Sequence, residues 1–93
     1  YAIQEEITGS KEGKIAAAKA LGASDDQSSI DLLLRFIDDA DDDVVFAACE
    51  SLRKVGSEHD TADLLARMQK IPEDRQAIRD EIGKTVQELH HRP

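Results

Sequence analysis

The sequence of 93 residues contains few of the residue types that cross-link a small domain or fill its core. Cys49 is the only cysteine, so no internal disulfide can form and nothing indicates an oxidising compartment. Aromatic residues make up only 3% of the chain, and tryptophan is absent. Burial must therefore come from Ala, Leu, Ile and Val. Because alanine buries little apolar area, we expect modest stability.

Basic residues are also scarce. The chain has 12 Lys and Arg against 20 Asp and Glu, which gives a formal net charge of −8. We expect neither nucleic-acid nor membrane binding, because phosphate backbones and anionic lipids both select clustered cations. A basic or amphipathic protein partner is favoured instead. Long apolar runs and a signal-peptide pattern are lacking too, so we expect a cytoplasmic protein.

What the chain does contain is an internal repeat with an offset of 31 residues. Residues 15–21, with the sequence IAAAKAL, align with residues 46–52, FAACESL. The segments that follow, residues 30–36 and 62–68, also match, one residue out of step. A fixed period of about 30 residues built from two helical segments is typical of a stacked helical array, in which each unit buries its apolar face only against its neighbours.

Caps and helix breakers divide this array into six helices arranged as three pairs. We expect helices over residues 2–8 and 11–21, through 30–37, over 44–55, through 64–68 and through 77–89. Ser10, the aspartates of 38–43 and Pro72 are predicted at helix starts, with Pro72 at the first helical position. The predicted fold is an all-α superhelix of about three repeats, residues 1–24, 25–57 and 58–90, in a single domain over 1–93.

The central repeat resembles a known family. Residues 41–56, DDDVVFAACESLRKVG, closely resemble the second helix of a HEAT repeat, in the short bacterial form of the phycobilisome-lyase-type proteins. Residues 10–25 keep the alanine block, whereas residues 71–84 are degenerate, as a terminal cap would be. One departure is that Val45 occupies the place where the family usually has Arg, with Lys14 and Arg75 there in the other repeats.

The resemblance implies an interaction scaffold whose second helices line the concave side of the array. It also implies an alternative, a subunit of a bilin or other prosthetic-group lyase, which an absorbance titration with bilin would test. A third hypothesis is a structural segment of a longer solenoid. Our leading hypothesis is the non-enzymatic scaffold.

A helical wheel selects candidate binding residues on the second helices. Phe46, Glu50 and Arg53 fall opposite the apolar stripe of their helix, where solvent is expected. The proposed partner-binding residues, with their equivalents in the other repeats, are Ile15, Lys19, Phe46, Glu50, Arg53, Gln76 and Asp80. Apolar groups rimmed by charge indicate a protein contact. The alternative is that Ile15 and Phe46 pack against a neighbouring helix.

No residue pattern indicates catalysis, a cofactor or a metal. Asp39, Asp41 and Asp43 alternate as calcium ligands do, but the sixth position of an EF-hand loop would be Val44 rather than the required Gly. The three histidines have no ligand spacing relative to one another or to Cys49. Cys49 lies in the alanine block, which favours a small packing residue over a nucleophile.

Overall fold

The computed structural model describes residues 11–90, and this part of the chain folds into five α-helices joined by short turns. The helices are α1 (Lys11–Leu21), α2 (Gln27–Ile37), α3 (Asp42–Val55), α4 (Thr61–Lys70) and α5 (Gln76–His90). Short 3₁₀ turns, Glu58–Asp60 and Glu73–Arg75, precede α4 and α5. The helix predicted over residues 2–8 and its neighbour Ser10 lie outside the described residues.

The five helices form two layers. The second helices, α1, α3 and α5, lie side by side, and α3 packs against α1 on one flank and α5 on the other. The first helices, α2 and α4, cover α3 and α5 and also contact each other. Within residues 11–90, α1 and α5 do not touch, and the molecule measures 36 × 32 × 15 Å. Burial is thus shared between successive helix pairs, and the predicted all-α array is confirmed.

The acidic run caps α3. The Asp41 side chain accepts a hydrogen bond from the backbone N–H of Asp43 at 3.0 Å, and Asp42 and Asp43 occupy the first turn. The Asp41 carboxylate satisfies a free N–H group, and all three carboxylates complement the positive end of the helix dipole. The helix therefore begins two residues before the predicted start at Val44.

The prediction for Pro72 was wrong in detail. Pro72 adopts an extended conformation ahead of the 3₁₀ turn, and α5 begins only at Gln76. The tighter 3₁₀ turn takes the place of the first α-helical turn, which is a common arrangement at helix N-termini. A second 3₁₀ turn, before α4, is closed by a capping box between Ser57 and Asp60.

The core runs along the seam between the two layers. Its largest fully buried side chains are mostly Leu, Ile and Val from α2 to α5: Leu33, Ile37, Val44, Val45, Leu52, Leu64, Ile78, Ile82 and Leu89. On α1, Ala18 is the one fully buried residue among those described. Small residues let α1 approach α3 closely, and there Ser51 Oγ donates a 2.6 Å hydrogen bond to the carbonyl of Ala18.

Candidate functional site

The seven candidate residues all lie on the second helices. Ile15 and Lys19 are on α1, Phe46, Glu50 and Arg53 are on α3, and Gln76 and Asp80 are on α5. We call these seven residues the second-helix face. Because α3 lies between α1 and α5, the fold brings the three sets into one layer, which the sequence repeat anticipated.

Ile15 and Phe46 are neither free nor fully covered. Both are half-buried, and both pack against the hydrophobic core. The packing interpretation accounts for the covered part of each side chain, whereas the remaining part is accessible to solvent. A helical wheel places Phe46 opposite the apolar stripe but cannot show that neighbouring helices reach around to it.

The charged candidates Lys19, Glu50 and Asp80 are exposed, as predicted from the wheel. Glu50 lies 4.0 Å from the Lys54 ammonium on the same helix, with both side chains more than half exposed. Asp80 accepts a 2.8 Å hydrogen bond from Gln76. Exposed pairs of this kind contribute little to stability, so these charges are available to a partner.

Arg53 behaves differently, because it joins two repeats. Its guanidinium lies 2.5 Å from the Glu81 carboxylate and donates a weaker, 3.3 Å hydrogen bond to Thr85, both on α5. A third acceptor, Glu88, lies 3.8 Å away. Burial alone would lower the pKa of Arg53, but the Glu81 carboxylate raises it above its ordinary value. Arg53 is therefore already engaged within the chain.

The acidic run also joins repeats, which the sequence reasoning missed. Lys14 on α1 donates to Asp39 at 2.9 Å, and Arg75 donates to Asp42 at 2.6 Å and to the Asp39 carbonyl at 3.4 Å. The run thus receives cations from the repeats on both sides. A signal was present, since Lys14 and Arg75 occupy the position where the resemblance places Arg.

These contacts affect the ionisation of Asp39. Burial would raise its pKa, but the hydrogen bond from Lys14, the N–H of Asp41 and the charges of Lys14 and Arg75 outweigh burial and hold the pKa below its ordinary value. The run has further ion pairs nearer the solvent, from Lys11 to Asp43 at 2.7 Å and to Asp41 at 3.7 Å, and from Arg67 to Asp38 at 3.3 Å. The acidic run therefore links neighbouring repeats as well as capping α3.

Cys49 is fully buried on α3, facing α5. Burial is the main cause that raises the pKa of its thiol, to about 11, so the reactive thiolate is almost absent at neutral pH. Within residues 11–90, no three His, Cys, Asp or Glu side chains come together as metal ligands would. Over the same residues, no helix is long and apolar enough to cross a membrane.

An open groove of about 670 Å³ lies along α5. Gln76 and Asp80 line it, together with Met68 from α4 and the α5 residues Arg79, Gly83 and Lys84. The sequence reasoning did not select Arg79 or Lys84. The groove marks the free flank of α5, because the opposite flank packs against α3.

Comparison with known proteins identifies the repeat. No curated protein and no solved structure gives a match. A family model described as HEAT repeats matches residues 4–83, which is most of the chain and includes all five described helices at least in part. The phycobilisome-lyase type of HEAT repeat stays a prediction. On the strength of this match and of the layered helix pairs, the chain belongs to the HEAT-repeat family.

Proposed function

We propose that this protein is a non-enzymatic scaffold that binds a partner protein on the second-helix face. HEAT repeats generally mediate protein–protein interactions. The observation that supports this particular face is the pairing of half-buried apolar groups, Ile15 and Phe46, with exposed charges on the same layer of helices. Protein interfaces commonly combine an apolar centre with a charged rim.

Each type of residue has a distinct role in this proposal. Ile15 and Phe46 provide apolar anchoring, because their accessible parts lose contact with water when a partner covers them. Lys19, Glu50 and Asp80 set the orientation, since rim charges steer association and select register more than they add affinity. The net charge of −8 favours a basic or amphipathic partner for this face.

The experiment compares two double charge reversals that both preserve the net charge. The test variant combines Lys19→Glu with Glu50→Lys on the second-helix face. The control combines Asp31→Lys with Arg35→Glu on α2, where both side chains are also exposed. Because all four positions are exposed, both variants are expected to keep the far-UV circular dichroism of the wild type.

Affinity capture with quantitative mass spectrometry provides the readout. We expect the test variant to lose proteins that the wild type and the α2 control retain. A second comparison sets Phe46→Asp against Leu65→Asp, because Leu65 is an exposed large apolar residue on α4, away from the second-helix face. Equal capture by all folded variants would contradict the proposal.

A further inference from the structure

The groove on α5 is the position at which the array would continue. The repeat alignment that pairs Ile15 with Phe46 and Gln76 also places three other residues at equivalent positions: Ala18, Cys49 and Arg79. Ala18 is fully buried and accepts a hydrogen bond from α3, and Cys49 is fully buried against α5. Each of the first two positions is therefore covered by the next second helix. Arg79 is the first that faces no further helix of the described chain.

A second set of equivalent positions gives the same result. A Cβ at Gly22 would lie 2.7 Å from Ser51 Oγ on α3, and Arg53 reaches Glu81 on α5. At the matching place in α5, a Cβ on Gly83 would meet no atom within 4 Å. The positions at Gly22 and Arg53 are therefore in contact with the next second helix, whereas the position at Gly83 is open.

Arg79 also leaves a polar atom unsatisfied. Its Nε is shielded from solvent, yet no acceptor among the described residues takes its hydrogen bond. No acceptor of the described chain therefore fixes this side chain through its Nε, although Arg79 borders the groove. One interface earlier, a cation at a different repeat position, Arg53, is held by a carboxylate and a hydroxyl of the adjoining helix.

We propose that the groove docks an acidic amphipathic helix of a partner protein. A carboxylate of that helix pairs with the Arg79 guanidinium where it borders the groove and is attracted by Lys84, while apolar side chains cover Met68 and the open space at Gly83. A helix is the expected shape because a helix covers each earlier second helix in the array. This site shares Gln76 and Asp80 with the second-helix face but lies on the outer flank of α5, and it selects an acidic partner rather than a basic one.

The local charge supports an acidic occupant even though the chain as a whole is acidic. Arg79 and Lys84 form no ion pair with the described residues, whereas Lys14, Arg53 and Arg75 all do. The one carboxylate that lines the groove, Asp80, already accepts a hydrogen bond from Gln76. The attraction between these two cations and a carboxylate of the docking helix acts at short range and orients that helix. The repulsion between the helix and the net negative charge of the chain acts at longer range, where salt screens it.

The probe is a displayed library of amphipathic helical peptides with randomised positions, selected for binding to the full chain. The chain with Gly83→Phe serves for counter-selection, because the new ring fills the groove where nothing now stands. We expect enriched peptides to carry Asp or Glu beside an apolar stripe. Enriched peptides without acidic residues would overturn the proposal. So would peptides that bind the wild type no better than they bind the Gly83→Phe chain.

Affinity measurements on a selected peptide then test the role of Arg79. Arg79→Gln should weaken binding at least about tenfold, as expected for a charge-assisted hydrogen bond. Arg35→Gln is the matched control, since it removes one exposed cation on α2 that has no ion pair with described residues. We expect its affinity to stay within about twofold of the wild type. Equal loss in both variants would refute the assignment.

Two further measurements distinguish a partner helix in the groove from self-association and from binding at the second-helix face. Sedimentation of the wild type and Arg79→Gln shows whether a second copy fills the groove; a dimer that the substitution abolishes would overturn the partner-helix proposal. The variant with Lys19→Glu and Glu50→Lys should bind the selected peptides normally. If it loses them, the peptides bind the α1 and α3 part of the second-helix face, and the groove proposal fails independently of the proposed function.

Discussion

Two glycines at equivalent repeat positions should respond oppositely to the same substitution. Gly22 follows α1, and Gly83 lies within α5. None of the described glycines has a positive φ, so alanine is allowed by the backbone at both places. The difference therefore depends on what the added methyl group meets.

At Gly22 the methyl group meets the next repeat. Its carbon would lie 2.7 Å from Ser51 Oγ and 3.0 Å from Ser51 Cβ, and Ser51 is only 2% exposed. Either Ser51 rotates and abandons the carbonyl of Ala18, or the end of α1 moves away from α3. Both routes cost about 1–3 kcal/mol. We expect Gly22→Ala to lower the free energy of unfolding by that amount.

At Gly83 the methyl group meets nothing within 4 Å. The remaining effect is helix propensity, because alanine loses less backbone entropy than glycine in a helix interior. Gly83→Ala should raise the free energy of unfolding by about 0.5–1 kcal/mol. In a domain of this size the midpoint temperature should rise by a few degrees, at about 4–8 °C per kcal/mol.

Urea and thermal unfolding followed by far-UV circular dichroism measure both variants. Ser51→Ala is the control background, because it removes the oxygen that Gly22→Ala would strike. We expect the cost of Gly22→Ala to fall in that background and the gain from Gly83→Ala to stay unchanged, since coupled neighbours are non-additive and distant sites add. Changes of the same sign at both glycines would refute the reasoning, and so would an unaltered cost in the Ser51→Ala background.

Three other predictions concern charge and thiol chemistry. Cys49 should resist a thiol reagent in the native protein at mildly alkaline pH and react at a rate set by unfolding, because burial raises its pKa to about 11; rapid native labelling, followed by absorbance, would contradict this. The pKa of Asp39 is lowered in the fold, so its contribution to stability is present above its ordinary pKa of about 4 and is lost as the pH falls through the folded value. Asp39→Asn should remove that part of the loss of stability in acid. If the free energy of unfolding falls equally with pH in the wild type and in Asp39→Asn, this prediction is wrong. A double-mutant cycle with Arg53→Gln and Glu81→Gln should give a coupling of about 1–2 kcal/mol, because both side chains are mostly covered, at 25% and 19% exposed, and a value near zero would show that the pair is no more than a surface contact.

Local sequence signals located the helices well because helix ends are local events. The predicted helix over residues 11–21 matches α1, and Gly22 ends it as expected. The start of α3 differs by two residues because aspartates that cap a helix can also occupy its first turn. At Pro72, the choice between an α-helical and a 3₁₀ first turn depends on packing that the sequence does not express.

The candidate site was predictable only in part. The repeat and the wheel placed Lys19, Glu50 and Asp80 on exposed helix surfaces, and the structure agrees. The wheel could not assign Arg53 to Glu81, because that contact joins residues 28 positions apart on different helices. It also gave no reason to select Arg79, whose significance depends on an open flank.

The sequence by itself determined the helical class, the repeat and most helix ends, because these follow from propensities, caps and a hydrophobic period within a few turns of chain. Only the tertiary structure decided which faces neighbouring helices cover. It left Ile15 and Phe46 half-buried, directed the acidic run to cations on both flanking repeats, and left the groove beside Arg79 open. The physical reason is that burial and charge pairing are properties of neighbours in space, and a periodic sequence specifies each helix without specifying which of its flanks a neighbour covers.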